Sequence, residues 1–176
     1  MAHSDRCDSV RHSRKLASIH WTAQFTQGFS LWFASQALHA LGATVHAVCD
    51  IDAEKAAAAK ETLRAEHAFT DYDTMLDDGG CTAVVIGSPM HFHVAQSIAA
   101  LERGIHVLCE VTAGVSIAEC QELVLAAERS EALFMMAENI NYDRTSVLIN
   151  SIVDAGKMGD VRSHAICLTH APGVVP

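Results

Sequence analysis

Acidic side chains follow two short apolar segments of this 176-residue sequence. Asp50 comes directly after Thr44–Cys49, and Glu110 comes directly after Ile105–Cys109. Both segments have the length and apolar character of strands buried on both faces. Ligands bind at the carboxyl ends of the strands in open parallel sheets, and a carboxylate there can accept hydrogen bonds from a ribose. We therefore expect Asp50 to bind a ribose, the alternative being a helix cap or a solvated acid.

The segment that includes Glu110 predicts a complete strand–helix–strand unit. Ala83–Gly87 is a buried strand, Ser88 and Pro89 end it, and apolar residues at helical spacing follow up to Gly104. A parallel unit of this kind closes by a right-handed crossover. The Ser88–Pro89 turn and Glu110 should therefore lie side by side at one edge of the sheet.

Two histidines open the helix of this unit. His91 and His93 are two residues apart, so they do not share a helical face and lack the spacing of a helical metal pair. Neutral, partly buried histidines are the simpler interpretation, and we expect no metal site here. His93 remains a candidate for the lining of the ligand cleft.

The turn after the first predicted strand is poor in glycine. A dinucleotide-binding turn carries G-x-G-x-x-G, but here Gly28 is the only glycine, in Thr26-Gln-Gly-Phe-Ser-Leu31. Gly28 can still leave the backbone open to a phosphate at a helix N-terminus. At the other end of the chain, Asn139 follows a predicted strand, Leu133–Ala137, and should face the same cleft as Glu110 unless it caps a helix. Within that strand, Met135 and Met136 are expected to pack in the core.

Short buried strands alternate with helices along most of the chain, which predicts an α/β fold with a doubly wound, mostly parallel sheet. We expect a disordered tail over residues 1–16, a nucleotide-binding domain over 17–158, and the first strand of an incomplete second α/β domain over 159–176. The predicted strands are Ser18–Phe25, Thr44–Cys49, Ala68–Phe69, Ala83–Gly87, Ile105–Cys109, Leu133–Ala137 and Val161–Thr169; the predicted helices include Phe29–Leu41, Ala53–Ala65, Asp71–Leu76, Ile117–Arg129 and Thr145–Ala155.

Composition excludes several classes of function. The formal net charge of −9 argues against a nucleic-acid partner, which needs a basic surface. Apolar runs are too short for a membrane-spanning helix. The six cysteines form no CxxC pair and several fall in predicted buried strands, so we expect reduced thiols and a cytoplasmic protein.

Several motifs in order resemble the Gfo/Idh/MocA family, which includes glucose–fructose oxidoreductase and inositol dehydrogenase. The resemblance covers roughly residues 28–170 and rests on VCDIDAEKA, FTDYDTML, AVVIGSPMHFHVAQSIAALERGIHVLCE, MMAEN and AGKMGDV. It implies a Rossmann domain that binds NAD(P), with NAD favoured over NADP because an acid at position 50 repels a 2′-phosphate. It also implies a second domain that supplies contacts to a sugar or cyclitol substrate and to other subunits of a homo-oligomer. The cofactor-binding residues it implies are Gly28, Asp50, Ser88, Pro89, His93, Glu110 and Asn139.

One triplet departs from the family pattern. Dehydrogenases of the family carry Glu-Lys-Pro, whose lysine helps a proton to move during hydride transfer, and this chain has Glu110-Val111-Thr112. Valine cannot carry a proton, so the catalytic residues stay unassigned. The triplet resembles the branch of NAD-dependent α-N-acetylgalactosaminidase-type glycosidases, in which the sugar is oxidised transiently. An oxidoreductase is the main expectation; such a glycosidase and a non-catalytic binding or scaffold protein are the alternatives.

Overall fold

The computed structural model describes residues 18–23, 40, 42–78 and 80–160. Within these ranges six strands form a single parallel sheet in the order β3-β2-β1-β4-β5-β6. The order reverses between β1 and β4, which is the topology of a doubly wound Rossmann-like fold. The predicted α/β class is therefore confirmed. The strands are β1 (Ser18–Ala23), β2 (Thr44–Cys49), β3 (His67–Phe69), β4 (Ala83–Gly87), β5 (His106–Cys109) and β6 (Phe134–Met136).

Helices connect the strands and begin where the sequence supplies caps. Asp52 accepts hydrogen bonds from the Glu54 and Lys55 amides at the start of the first described helix, and Ser116 caps the fourth through the Glu119 amide. The Glu119 carboxylate reaches back to the Val115 amide at 3.1 Å, one residue before the cap. The helices are α1 (Ala53–Leu63), α2 (Tyr72–Asp78), α3 (His93–Glu102), α4 (Ile117–Arg129) and α5 (Arg144–Asp154), with short 3₁₀ turns at Met90–Phe92 and Asn139–Tyr142.

Two groups of buried side chains stabilise the sheet. The larger joins β2, β4 and β5 to α2, α3 and α4, and Met75, Ile86 and Leu101 are among its fully buried members. The smaller contains Val45 and Val48 of β2 with Leu63 of α1. Burial of these aliphatic side chains, at about 1.5–3 kcal/mol each, is what holds the helices on the sheet and the strand ends in place.

Most predicted elements match the structure within two residues, and β2, β4 and α4 match at both ends. Helix α1 ends at Leu63 rather than Ala65 because Arg64 adopts the left-handed conformation at φ 54°. The packing predicted for Met135 and Met136 is wrong: both are exposed, because β6 is the outermost described strand. Gly28, most of the predicted helix Phe29–Leu41 and the predicted strand Val161–Thr169 lie outside the described residues.

The chain divides into two compact units, Met1–Ala137 and Glu138–Pro176. The described part of the first unit holds the whole sheet with α1 to α4. The described part of the second holds the 3₁₀ turn Asn139–Tyr142, which Glu138 caps through the Ile140 amide, and α5, which Asp143 caps through the Ser146 amide. The predicted domain limits at 16/17 and 158/159 remain predictions.

None of the helices in the described ranges has both the length and the apolar character needed to cross a membrane.

Candidate functional site

Asp50 lies at the carboxyl end of β2 and is 5% exposed. Its backbone N–H donates to the Phe69 carbonyl at 3.2 Å, so the end of β2 is fixed to the end of β3. One carboxylate oxygen, Oδ1, accepts from the Asp52 amide at 2.9 Å. The other, Oδ2, is buried and has no hydrogen-bond partner among the described residues.

The unpaired oxygen is the clearest sign of a ligand at this edge of the sheet. A buried acceptor without a partner costs free energy, and such groups in folded proteins call for an explanation such as a bound ligand or water. A ribose hydroxyl is a hydrogen-bond donor, which is the kind of partner that Asp50 Oδ2 lacks. The residues present at the end of β2 therefore fit the sugar of a nucleotide.

His93 connects the turns that follow β4 and β5. The side chain is 1% exposed; its Nε2 lies 2.7 Å from the Ser88 carbonyl oxygen and its Nδ1 lies 2.6 Å from the Thr112 carbonyl oxygen. Carbonyl oxygens only accept, and a neutral imidazole has one N–H, so both contacts are hydrogen bonds only when the ring carries two protons. Both ring nitrogens are committed to backbone, which makes His93 a positioning residue in this structure.

The Ser88–Pro89 turn is held by side chains of α3. The Ser88 hydroxyl donates to the side-chain oxygen Gln96 Oε1 at 2.6 Å. The backbone carbonyl of Gln96 accepts from the Tyr72 hydroxyl at 3.0 Å. Pro89 precedes the 3₁₀ turn and accepts a hydrogen bond from the Phe92 amide. Burial raises the pKa of Tyr72, so its hydroxyl keeps the proton that this contact requires. The turn after β4 therefore has a fixed backbone.

Glu110 lies at the carboxyl end of β5, and its backbone N–H donates to the Ile86 carbonyl at 2.8 Å. Its side chain is exposed, as is that of Val111, and the Val111–Thr112 peptide bond is cis. Through the Ile86 and His93 contacts, the structure brings together Ser88, Pro89, His93 and Glu110 as predicted. Asp50 belongs to the same edge of the sheet, with β1 between β2 and β4.

Each of the two acids follows a buried cysteine. Burial raises the pKa of Cys49 to about 12, with the Asp71 and Asp50 carboxylates adding to the effect, and burial raises the pKa of Cys109 to about 11. Both thiols are therefore protonated at neutral pH and act as small apolar side chains. Neither has the thiolate character of a nucleophile.

Two of the predicted site residues cannot be joined to this cluster. Gly28 lies outside the described residues. Asn139 is exposed and belongs to the second unit, where it begins the 3₁₀ turn Asn139–Tyr142. Both assignments remain predictions.

Sequence reasoning did not find the contacts made by His93 or the Tyr72–Gln96 contact. The signal for the first was present: a histidine six residues after the end of β4 is within reach of both the Ser88 turn and the turn after β5. The Tyr72–Gln96 contact joins α2 to α3, and no local pattern of residues predicts it.

The sequence profile described as "Oxidoreductase family, NAD-binding Rossmann fold" matches residues 26–138, more than half of the chain and most of the described sheet. The chain belongs to this Gfo/Idh/MocA oxidoreductase family. The resemblance read from the motifs is thereby confirmed, and the Rossmann fold of this family is described as NAD-binding.

Among curated relatives, a "Glycosyl hydrolase family 109 protein" of Shewanella sp. (strain W3-18-1) is 30% identical over 144 residues. An "Alpha-N-acetylgalactosaminidase" of Shewanella oneidensis is 27% identical over 144 residues. Each alignment covers 77% of this chain and 31% of the relative. The chain thus spans less than one third of the length of these relatives.

Among solved structures of similar fold is scyllo-inositol dehydrogenase from Lactobacillus casei with bound NAD(H) and scyllo-inositol. The two chains superpose with a TM-score of 0.73 and 26% sequence identity, over 83% of this chain and 43% of the dehydrogenase. This chain therefore matches less than half of the length of the dehydrogenase.

Proposed function

We propose that this chain binds NAD at the carboxyl edge of its sheet, with the adenosine ribose on Asp50. The observation that carries the proposal is the buried, unpaired Oδ2 of Asp50. Accepting a ribose hydroxyl satisfies that oxygen through a charge-assisted hydrogen bond. The same carboxylate repels the 2′-phosphate of NADP, so NAD is the favoured cofactor.

The remaining contacts divide into backbone and side-chain roles. The fixed turn at Ser88 and Pro89 presents backbone to the cofactor, and His93 acts by holding that turn against the one after β5. Glu110, exposed at the end of β5, accepts from the nicotinamide ribose. Gly28 at the phosphates and Asn139 at the cleft are supported by the family resemblance alone.

The proposed activity is oxidation or reduction of a sugar or cyclitol derivative. The chemistry that NAD supplies when bound is the acceptance or return of a hydride. The bound inositol of the Lactobacillus casei structure supports this class of substrate. No residue of the described chain is assigned as the catalytic acid or base, since the position of the family lysine is Val111.

An NAD-dependent glycosidase of the α-N-acetylgalactosaminidase type is the second candidate. Val111 in place of lysine favours it, as do the names of the relatives that align over 77% of this chain. The two activities are separated by incubating the protein with an aryl α-N-acetylgalactosaminide and with free sugars, with and without NAD⁺. An oxidoreductase accumulates NADH with a free sugar; a glycosidase releases the phenol only when NAD⁺ is present, without net NADH.

Calorimetric titration with NADH tests the binding proposal. We expect Asp50→Ala to weaken binding by about 1–3 kcal/mol, through loss of the charge-assisted hydrogen bond. Asp52→Asn is the matched control, because it removes a nearby exposed charge and keeps a side chain that can cap α1. No binding of millimolar NADH to the unaltered protein would favour a non-catalytic scaffold instead.

A cytoplasmic location and assembly into a homo-oligomer complete the proposal. The location is supported by Cys49, Cys81, Cys109 and Cys120, which are free thiols in the described part of the chain. The oligomer is supported by the family resemblance. Cell fractionation and size-exclusion chromatography with light scattering test these two points.

A further inference from the structure

Three metal-binding side chains meet where β2 pairs with β3. His46 lies within β2, Glu66 directly precedes β3, and His67 is the first residue of β3. The Glu66 amide donates to the His46 carbonyl at 3.0 Å, and Ala47 is the register partner of His67. These residues come from the first half of β2 and the beginning of β3, away from the strand end that carries Asp50.

A bulge in β2 determines the position of the His46 side chain. Ser18 pairs with Thr44 and His20 with Ala47, so β2 uses three residues where β1 uses two. Val45 and Val48 consequently lie in the same buried group, although strict alternation would put them on opposite faces. Bulges of this kind re-aim a side chain. Here the result is a His46 ring whose centre is 5.0 Å from that of His67.

The geometry is close to that of a coordination site. His46 Nδ1 lies 3.1 Å from Glu66 Oε2, and one ligand atom from each of the three residues lies within 4.8 Å of the others. Ligand atoms around a tetrahedral zinc ion are about 3.4 Å apart, given bonds of about 2.1 Å. Glu66 is 60% exposed and His46 is 26% exposed, so small side-chain rotations at the surface close the difference.

We propose that His46, Glu66 and His67 form a binding site for a divalent transition metal ion of the zinc type. Two imidazole nitrogens and one carboxylate suit zinc, whereas magnesium and calcium prefer an all-oxygen set. Three protein ligands leave a position for water. The site is independent of the proposed cofactor function, and the expectation of no metal rested on His91 and His93, which are not part of it.

The ion would have a structural role. Strand β3 has three residues and pairs only with β2 in the described sheet, so few backbone hydrogen bonds hold it. A metal bound by His46 on one strand and His67 on the other ties the two strands together. Binding to the folded chain alone then raises its stability by mass action.

Calorimetric titration of the full chain with ZnCl₂, after removal of metals with a chelator, tests the site. We expect His67→Ala to weaken zinc binding at least about tenfold and Glu66→Gln to weaken it severalfold. His91→Ala is the matched control, since it removes an exposed histidine outside the cluster and should leave the affinity unchanged. Equal affinity and stoichiometry in the unaltered protein and His67→Ala would overturn the proposal, as would no binding at all.

Two further readouts separate this site from other histidines. Zinc should raise the midpoint of thermal unfolding in the unaltered protein and in His91→Ala, and not in His67→Ala. Cobalt should give visible absorption bands of a nitrogen- and oxygen-ligated ion that disappear in His67→Ala. Circular dichroism establishes that each variant folds; a zinc response that survives in a folded His67→Ala protein would mean that the His46–Glu66 contact is an ordinary hydrogen bond.

Discussion

Strands β2 and β5 end alike in sequence and differently in structure. Each ends on a buried cysteine followed by an acid, Cys49 before Asp50 and Cys109 before Glu110. Asp50 is enclosed, with one oxygen bound to the Asp52 amide and one oxygen unpaired, whereas Glu110 is exposed. The same pattern thus produces a buried acceptor at one strand end and a solvated carboxylate at the other.

The chain that surrounds each strand end explains the difference. Beyond β2, the Asp50 amide bonds to the end of β3 and the chain turns at once into α1, so the side chain is enclosed. Beyond β5, the connection runs through an extended turn whose backbone is held by His93. A carboxylate that follows a strand lies at the carboxyl edge of the sheet, where ligands bind. The packing of the segment that follows decides whether that carboxylate is buried.

Removal of His93 should have the largest effect, because the β5 end depends on it. We expect His93→Ala to lower the free energy of unfolding by about 2–4 kcal/mol, since it leaves a cavity and removes the buried ring that contacts the Ser88 and Thr112 carbonyls. Urea denaturation measures the change. His91→Ala, two residues away and exposed, should stay within about 0.5 kcal/mol of the unaltered protein. Equal stability of the two variants would mean that the turns do not need the imidazole.

The turn after β5 also relies on close packing at Gly114. A Cβ at this position would lie 2.9 Å from Val94 Cγ2 and 3.0 Å from Cys120 Sγ. We expect Gly114→Ala to cost about 1–3 kcal/mol of stability, because Val94 is buried and stiff. Adding Cys120→Ala should recover part of the loss, a coupling that a double-mutant cycle measures. Strictly additive effects of the two substitutions on stability would contradict this coupling, because they would show that the turn moves away from Cys120 at no cost.

Neutral isosteres of the two acids compare the strand ends directly. Asp50→Asn keeps an oxygen for the Asp52 amide and removes the buried charge, so stability should be unchanged or higher while NADH binding weakens by roughly 1 kcal/mol. Glu110→Gln should weaken binding less, because solvent screens an exposed carboxylate. Calorimetry and denaturation on the same samples give both quantities. A larger binding loss in Glu110→Gln would reverse the comparison.

The smallest effect concerns the buried thiol before Asp50. The pKa of Cys49 is raised from its ordinary 9.0 to about 12 in the folded protein. The unfolded thiol ionises near pH 9 and the folded one does not, so its contribution to stability is complete below pH 9 and declines as the pH rises toward 12. Denaturation between about pH 8 and 10.5 should show a shallower decline in Cys49→Ala than in the control Cys120→Ala. Identical slopes would contradict the raised pKa.

Local patterns in the sequence predicted most of the described fold. The apolar runs of β2 and β4 and the Ser116–Glu119 cap of α4 are decided by adjacent residues, and the structure reproduces their limits. The prediction that Met135 and Met136 are buried was wrong. Both are exposed because β6 is the outermost described strand, and the position of β6 in the sheet cannot be predicted from the apolar character of these two residues.

The candidate site could be predicted in position but not in detail. The edge that carries Asp50, Ser88 and Glu110 follows from parallel topology. The unpaired oxygen of Asp50 and the two carbonyl contacts of His93 depend on packing between segments far apart in sequence. The bulge that brings His46 close to His67 likewise depends on the pairing of β2 with β1, so it cannot be predicted from the sequence of β2 alone.

The most direct test is a crystal structure of the protein with NADH, in which the distance from Asp50 Oδ2 to the nearest ribose oxygen is measured. A hydrogen-bond distance of about 2.6–3.0 Å to a hydroxyl of the adenosine ribose is the predicted result. Nucleotide bound with Asp50 Oδ2 still unpaired, or with the adenosine away from the end of β2, would contradict the account.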